Sequence, residues 1–282
     1  MQKNNKVLLC VDVSNNAYKA SAAHAMLTNG EVFTGGLFGF LGALAKAIEQ
    51  TGATSICLCE DRKPYRRSQA YPEYKQLRED TKDQKLVANA KTTVEQIRNL
   101  CVVTGWPVWH VNDFECDDII AHAVIHYRHR YDKVVAMCND SDMYQLFQYK
   151  HFEMYRGKKG IYTRDDFNFE WKGLLPEELP LALAITGTHN DIAGILGVGP
   201  AGARHAIQNS DHMANLRKLH AAVIDRNLPL IKLPHHEFPK HEQIPEYTCA
   251  YDERQLIRFL SQYKIQLDRW ISEAFERVGK NA

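Results

Sequence analysis

The chain has 282 residues, 45% hydrophobic and 24% charged, which excludes wholesale disorder and leaves room for one sizeable core with a smaller companion. Its 35 Lys and Arg stand against 34 Asp and Glu, a net charge of +1. A uniformly basic nucleic-acid coat protein is thereby excluded, and any site for a polyanion has to come from local clustering. Seven cysteines, an odd number with no C-x-x-C pair, read as reduced thiols in an intracellular compartment. The apolar start is too short for a signal peptide and no run reaches the ~20 apolar residues of a membrane span, so a soluble, cytoplasmic protein is expected.

Residues 6–13 (KVLLCVDV) have the short apolar run of a buried parallel strand, ending in Asp12. Ser14, Asn15 and Asn16 supply N-cap chemistry for a helix that carries Tyr18 and Lys19. Apolar and small residues recur at helical spacing over 37–48, and 54–59 is a second strand running into Glu60 and Asp61. A helix over 94–103 precedes a third strand over 106–111, and 117–127 is an amphipathic helix opened by Glu115, Asp117 and Asp118. A fourth strand, 133–138, ends in Asn139-Asp140-Ser141-Asp142, and Gly157 to Gly160 marks a hairpin. Strands alternating with helices predict an α/β fold with a central, mostly parallel sheet.

After Tyr162 no strand pattern returns. Residues 176–186 read as a helix, 228–245 as a long Pro- and His-rich loop, and 252–278 as an amphipathic helix with a break near Lys264. The expected division is an α/β domain over 1–175, with a basic arm over about 62–92, followed by a helical region over 176–282.

Each of the four strands is followed by acids: Asp12, Asp61, the group Glu115, Asp117 and Asp118, and the pair Asp140 and Asp142. In open α/β sheets sites form at the carboxyl ends of strands, and four acidic strand ends are more than helix capping requires. So many carboxylates in one crevice raise each other's pKa unless a counter-charge is present. All-oxygen ligands favour Mg²⁺ or Mn²⁺, and two such ions about 4 Å apart can activate water and steady a leaving oxygen in phosphodiester hydrolysis.

Between Arg62 and Lys85 lie eight basic residues, among them Arg66, Arg67, Lys75, Arg78 and Lys82, against four acids, with Tyr65, Tyr71 and Tyr74 interleaved. Basic groups neutralise phosphates and aromatic faces stack on unpaired bases. A solvated helix face would give the same charge run, but this one directly follows the acidic strand end at Asp61. The run from Gly194 to Ala203 joins two helical stretches in a turn whose backbone N–H groups can hold a phosphate, or simply connect helices. His235, His236 and His241 near Cys249 fit no standard zinc spacing and read as a polar loop, and the four tryptophans read as core.

In this order the motifs resemble the 5′-nuclease (flap endonuclease) superfamily, which includes bacteriophage 5′-exonucleases and the 5′-nuclease domain of bacterial DNA polymerase I. ECDDIIAHAV (115–124) is similar to the family's E-A-D-D helix, NDSDMYQLF (139–147) to its strand-end D-x-D, YPEYKQLR (71–78) to its arch segment, and GILGVGPAGA (194–203) to its helix-three-turn-helix. The resemblance implies a PIN-like sheet flanked by helices, a helical arch and a helix-three-turn-helix subdomain. It implies a first metal held by Glu115, Asp117, Asp118 and Asp140, with Asp12 and Asp61 binding through waters, and a second metal faced by Asp142 and Asp191. Lys75 and Arg78 would reach the scissile phosphate. Lys19, Arg66, Arg67, Tyr74 and Lys82 would meet DNA, and Gly197, Val198, Gly199 and Ala201 would grip the duplex backbone, with K⁺ as a further ion there.

The implied activity is structure-selective, metal-dependent 5′-3′ exonuclease or flap endonuclease action on DNA with 5′ ends, flaps or nicks, extending to RNA–DNA hybrids, by a monomeric stand-alone enzyme such as a phage encodes. One departure stands out. The family's G-D-x-x-D-N reads here as Gly187-Thr188-His189-Asn190-Asp191, one residue shorter and without the first Asp. His189 or Asn190 would have to compensate. The alternative is therefore a nucleic-acid-binding module of the same fold with a weakened site. A metal-dependent phosphatase would explain the acids but leave the arm and the glycine turn unused.

Overall fold

The computed structural model describes residues 5–81 and 83–279, without the side chains of Arg78 and Glu79. The chain runs β1 (Val7–Asp12), α1 (Val13–Ala23), a small hairpin of β2 (Thr28–Asn29) and β3 (Val32–Phe33), α2 (Gly35–Thr51) and β4 (Ser55–Cys59). The basic arm holds two short helices, α3 (Arg66–Ala70) and α4 (Gln76–Asp80), before the long α5 (Gln84–Thr104). Then come β5 (Val108–Trp109), α6 (Cys116–His126), β6 (Lys133–Met137), a 3₁₀ helix (Ser141–Gln148), β7 (Phe152–Tyr155), β8 (Ile161–Tyr162) and α7 (Arg164–Glu170). The remainder is α8 (Leu179–Thr186), β9 (Gly187–Thr188), β10 (Ile192–Ala193), α9 (Pro200–Gln208), α10 (Ser210–Ile231), α11 (Glu253–Ser261) and α12 (Arg269–Gly279).

Every residue of β1 is buried, as the unbroken apolar run requires of a strand covered on both faces. It pairs in parallel with β4 on one side and β6 on the other, Cys10 lying opposite both Cys57 and Ala136. The sheet order is β5-β4-β1-β6-β7-β8, parallel throughout except for β8. Because the chain leaves β1 toward β4 and later returns to its other side at β6, the order switches at β1, and a crevice opens beyond the strand ends there.

One sheet face packs Leu9, Val11 and Leu58 against α1, α2, α5, α11 and α12, with Phe40, Leu44, Trp106 and Phe275 inside. The opposite face packs Leu8 and Cys10 against α6, the 3₁₀ helix and α7 through Ile119, Ile120, Phe147 and Phe167. Smaller cores hold α8, α9 and α10 together, one around Ile185, Ile195, Ala203 and Ile224 and the other around Ala184, Ile192 and Leu230, where Tyr74 of the arm joins. The tail does not stay with that helical unit: α11 and α12 return to the sheet, separated by a turn in which Lys264 adopts φ +54°, the break anticipated there.

Four local expectations change. Helix α1 starts directly at Val13, because Asp12 itself is the N-cap and accepts from the Asn15 N–H at 2.9 Å. The third strand shrinks to Val108–Trp109, since Pro107 has no N–H to give the ladder, although its carbonyl still accepts from Leu58 at 2.9 Å. Strand pairing does return after Tyr162, in the two-residue β9–β10 hairpin around His189. Helix α10, kinked at His220 where φ is −132°, runs to Ile231, so the His-rich loop begins at Lys232. Among the described residues no helix is long and apolar enough to cross a membrane. All seven cysteines are unpaired, six of them buried.

Candidate metal centre and nucleic-acid interface

The parallel strands β1, β4 and β6 deliver their acids to one crevice. Asp12 ends β1 and is 6% exposed. Asp61 lies two residues beyond β4 and accepts from the Cys116 N–H at 3.0 Å, joining β4 to the start of α6. Asp140 lies beyond β6 and caps the 3₁₀ helix by accepting from the Asp142 N–H at 2.9 Å. Asn16, on the first turn of α1, donates to the carbonyls of both Asp12 and Met137 at 2.7 Å and so pins the ends of β1 and β6 together.

Helix α6 contributes two kinds of carboxylate. Asp118 is fully buried and held bidentately by Arg67 at 2.5 and 2.8 Å, while the His235 N–H donates to it at 2.7 Å. Glu115, the N-cap of α6, accepts from Lys75 at 2.5 Å and from Arg67 and the Tyr74 hydroxyl at 3.0 Å. Burial works against ionised Glu115, but the charges of Lys75 and Arg67 and these hydrogen bonds outweigh it and lower its pKa. Asp117 turns the other way, into the open half of the crevice. Burial, then the charges of Asp140 and Asp12, raise its pKa well above the ordinary range. Burial and the neighbouring Asp61 push Asp12 up to about 7, and burial with Asp140 does the same for Asp142. These are the signs of a carboxylate cluster short of positive charge.

Two expectations for DNA contact are revised by burial, and a third residue has acidic neighbours. Arg67 is 3% exposed, and its guanidinium also donates to the Leu230 and Lys232 carbonyls at 2.8 and 3.3 Å. It holds acids rather than offering a face to phosphate. Tyr74 is 7% exposed and spends its hydroxyl on Glu115. Arg66 is exposed, but it stands beside Asp113 and Glu237 at 3.6 and 3.7 Å. Lys82 and the side chain of Arg78 lie outside the described residues. Lys19 faces the crevice from α1: with the Asn139 amide turned to donate to the Cys138 carbonyl, its oxygen accepts from Lys19 Nζ at 3.2 Å. Burial lowers the Lys19 pKa despite the nearby Asp12 and Asp140.

At the shortened motif it is Asn190, 2% exposed, that reaches Asp142, donating at 3.1 Å. Its carbonyl accepts from the Lys75 N–H at 3.0 Å, so one residue ties the arm to the acid cluster. Asp191, in the left-handed region at φ +61°, lines a groove against α4 with Glu73, Gln76 and Leu77. The glycine turn is exposed. Gly197 has φ +81°, Gly199 is the N-cap of α9, Val198 is half-buried and Ala201 exposed on its first turn. A Cβ on Gly194 would lie 2.2 Å from the Thr186 carbonyl carbon, so only glycine lets the turn seat against α8.

Among the described residues, one group of three or more His, Cys, Asp or Glu brings its ligand atoms within 4.8 Å of one another: Asp12, Cys116 and Asp117. Reading the sequence missed Cys116, whose place between two acids at a helix start was the available signal. It also missed Arg67 as a buried counter-ion, which nothing in the spacing of a basic run distinguishes from a surface residue. The loop histidine His235 is 4% exposed rather than surface-polar, and Trp270 is 43% exposed rather than core.

Residues 7–172 match the family model of the 5′-3′ exonuclease N-terminal, resolvase-like domain. Among individual relatives, the 5′-3′ exonuclease of Aquifex aeolicus is 24% identical over 216 residues, covering 76% of this chain and 73% of its own length. The thermostable DNA polymerase I of Thermus aquaticus is 26% identical over 228 residues, 80% of this chain but 26% of the polymerase. The bacteriophage T5 flap endonuclease, solved with DNA and metal ions, shares the fold with a TM-score of 0.68 at 17% identity, over 97% of this chain and 99% of that one. The flap endonuclease-1 of Methanococcus jannaschii does so with a TM-score of 0.61 at 15% identity, over 99% and 93%.

Proposed function

This chain belongs to the 5′-3′ exonuclease family, and we propose that it is a Mg²⁺- or Mn²⁺-dependent 5′-nuclease acting on 5′-ended, nicked or flapped DNA and leaving 5′-phosphate products. The observation that carries this reading is the convergence of Asp12, Asp61, Asp140 and Asp142, at or beyond the ends of β1, β4 and β6, with Asp117 from the start of α6, beside a lysine delivered by the arm. The converging carboxylate oxygens suit a hard divalent cation, and burial with neighbouring carboxylates raises the pKa of Asp12, Asp117 and Asp142, a cost that a bound cation would offset.

When bound, such ions lower the pKa of water and stabilise the developing charge on phosphate oxygens. Asp117 and Asp140, with Asp12 and Asp61, would hold the first ion; the expected ligands Glu115 and Asp118 are instead taken by Arg67 and Lys75. Asp142, with Asn190 beside it, would hold the second, in place of the expected Asp191, which lines the groove against α4. Arg67 fixes Asp118 and Glu115, which hold the inner wall of the site rigid and limit its net negative charge. Lys75 keeps its ammonium at Glu115 on the rim, where it would pair with a non-bridging oxygen of the scissile phosphate. Arg78, Lys82, Lys19 and Arg66 are basic groups for the flanking backbone. The exposed amides of the Gly197–Ala201 turn, with K⁺ as a bridging ion, suit the duplex phosphates. RNA–DNA hybrids, a monomeric state and a cytoplasmic setting belong to the same proposal.

A second reading, a DNA-binding module with weakened cleavage, draws on Asn190 standing where a carboxylate would serve the second ion. Cleavage of a 5′-labelled flap duplex with Mg²⁺, against EDTA and against Asp117→Ala, separates the two. Products near the junction that vanish in both controls are the expected result. Tight flap binding with no cleavage in Mg²⁺ or Mn²⁺ would sink the nuclease reading in favour of the module.

A further inference from the structure

Cys116 occupies the second position of the E-C-D-D stretch, where the family motif has alanine. An alanine there can only fill space, whereas a thiol brings a soft donor. Cys116 is the first residue of α6 and 4% exposed, with its backbone fixed by the N–H donated to Asp61. Its sulfur lies 3.7 Å from Asp117 Oδ1, and Cys116 Sγ with oxygens of Asp12 and Asp117 lie mutually within 4.8 Å. Metal–ligand bonds of about 2.0–2.6 Å allow one ion to touch donors that far apart.

We propose that Cys116 is a sulfur ligand of this metal centre and sets its cation preference, favouring thiophilic divalent ions such as Zn²⁺, Co²⁺ and Cd²⁺ relative to Mg²⁺. The inference rests on the metal-dependent reading of the same crevice. On coordination the S–H bond breaks, a metal–sulfur bond forms and the proton leaves to solvent, so uptake of these ions releases one more proton than uptake by carboxylates alone. Thiolate selects soft and borderline metals, while the surrounding oxygens still accept Mg²⁺. A centre of this kind works with Mg²⁺ and is captured by traces of a softer ion.

The test is titration of the full chain with Co²⁺ and Cd²⁺, following thiolate-to-metal charge-transfer absorption, together with calorimetric competition against Mg²⁺. Cys116→Ala restores the family's residue, and Cys116→Ser keeps the size of the side chain while replacing sulfur by oxygen. The other six cysteines remain in both variants as an internal background. The expected result is a charge-transfer band in the wild-type chain that is lost in both variants, with the Cd²⁺-to-Mg²⁺ affinity ratio falling about tenfold or more. A band that persists in Cys116→Ala, or an unchanged affinity ratio, overturns the inference. Failure of the underlying reading looks different: the wild-type chain would then neither bind Mg²⁺ nor cut the flap.

Discussion

Asp117 and Asp118 are neighbours in the chain and opposites in the crevice. Asp118 faces the inner half, where Arg67 and the His235 N–H satisfy it and Lys75 serves the adjoining Glu115. Asp117 faces the outer half, among Asp12, Asp140 and the Cys116 thiol, and its pKa rises because burial and like charges surround it. Two successive residues on a helix point about 100° apart, so a pair of adjacent acids serves two walls at once. The inner wall carries its own cations and is rigid. The outer wall has no such partner for Asp117 among the described residues, and in the proposed reading a divalent ion completes it.

Removing the inner cation is the strongest way to break this contrast. Arg67→Ala leaves Asp118 and Glu115 buried without their partner and is expected to cost about 3–5 kcal/mol of stability by urea unfolding. Arg67→Ala combined with Asp118→Ala should cost clearly less than the sum of the two single changes. Strictly additive losses would show that the pair is not a unit. On the outer wall, Asp117→Asn should leave the unfolding midpoint of the metal-free chain unchanged or raised. It should also cut flap cleavage by roughly 10²–10³-fold, the scale of losing one preorganised contact to the transition state. Activity within a few-fold of wild type would remove Asp117 from the centre.

The two walls also differ in their response to pH. Asp12 and Asp142, raised from 3.8 to about 7, hold protons in the folded chain between about pH 4 and 7 that the unfolded chain has already released. Their contribution to metal-free stability is therefore full at low pH and lost as pH climbs through 7. Glu115, shifted below 4.5, contributes in the opposite sense, and that stability is lost only as pH falls into the acid range. The thermal midpoint in EDTA should fall from about pH 5 to about pH 8, and Mg²⁺ should restore it at pH 8 far more than at pH 5. A midpoint in EDTA that climbs across this range would contradict the uncompensated outer wall. The smallest effect is expected at the hairpin: Asn190→Asp, adding a carboxylate beside Asp142, should tighten Mg²⁺ binding by a few-fold in calorimetry. Weaker binding would indicate that the Asn190–Asp142 hydrogen bond matters more than an added charge.

Most of the outer wall was legible in the sequence because Asp12, Asp61 and Asp140 come at or just after apolar runs, and parallel strands must deliver their ends to the same edge. The inner wall was not. Arg67 sits among Arg62, Lys63 and Arg66 in a run whose charge says nothing about which member turns inward. Only the packing of α3 against α6 and the end of α10 selects it, through bonds spanning 51 and 163 residues. The β9–β10 hairpin escaped for a related reason. Two-residue strands carry no periodicity, and their shape depends on positive φ at Gly187 and Asp191, which a sequence read for alternation does not display.

The return of the tail to the sheet has a bearing on how the protein is made. Phe275 of α12 meets Trp106 edge-on at 5.0 Å, and the Tyr247 hydroxyl bridges the Ile56 N–H of β4 and the Val278 carbonyl. Strand β1 and helix α12, far apart along the chain, thus share one core. The arm and the acid crevice precede α11 and α12 in the chain, so during synthesis the apolar face around Leu44 and Ile97 stays open until that segment emerges. Chaperone engagement during synthesis should accordingly concentrate on that face and end with the emergence of α12, well after the acid crevice has left the exit tunnel.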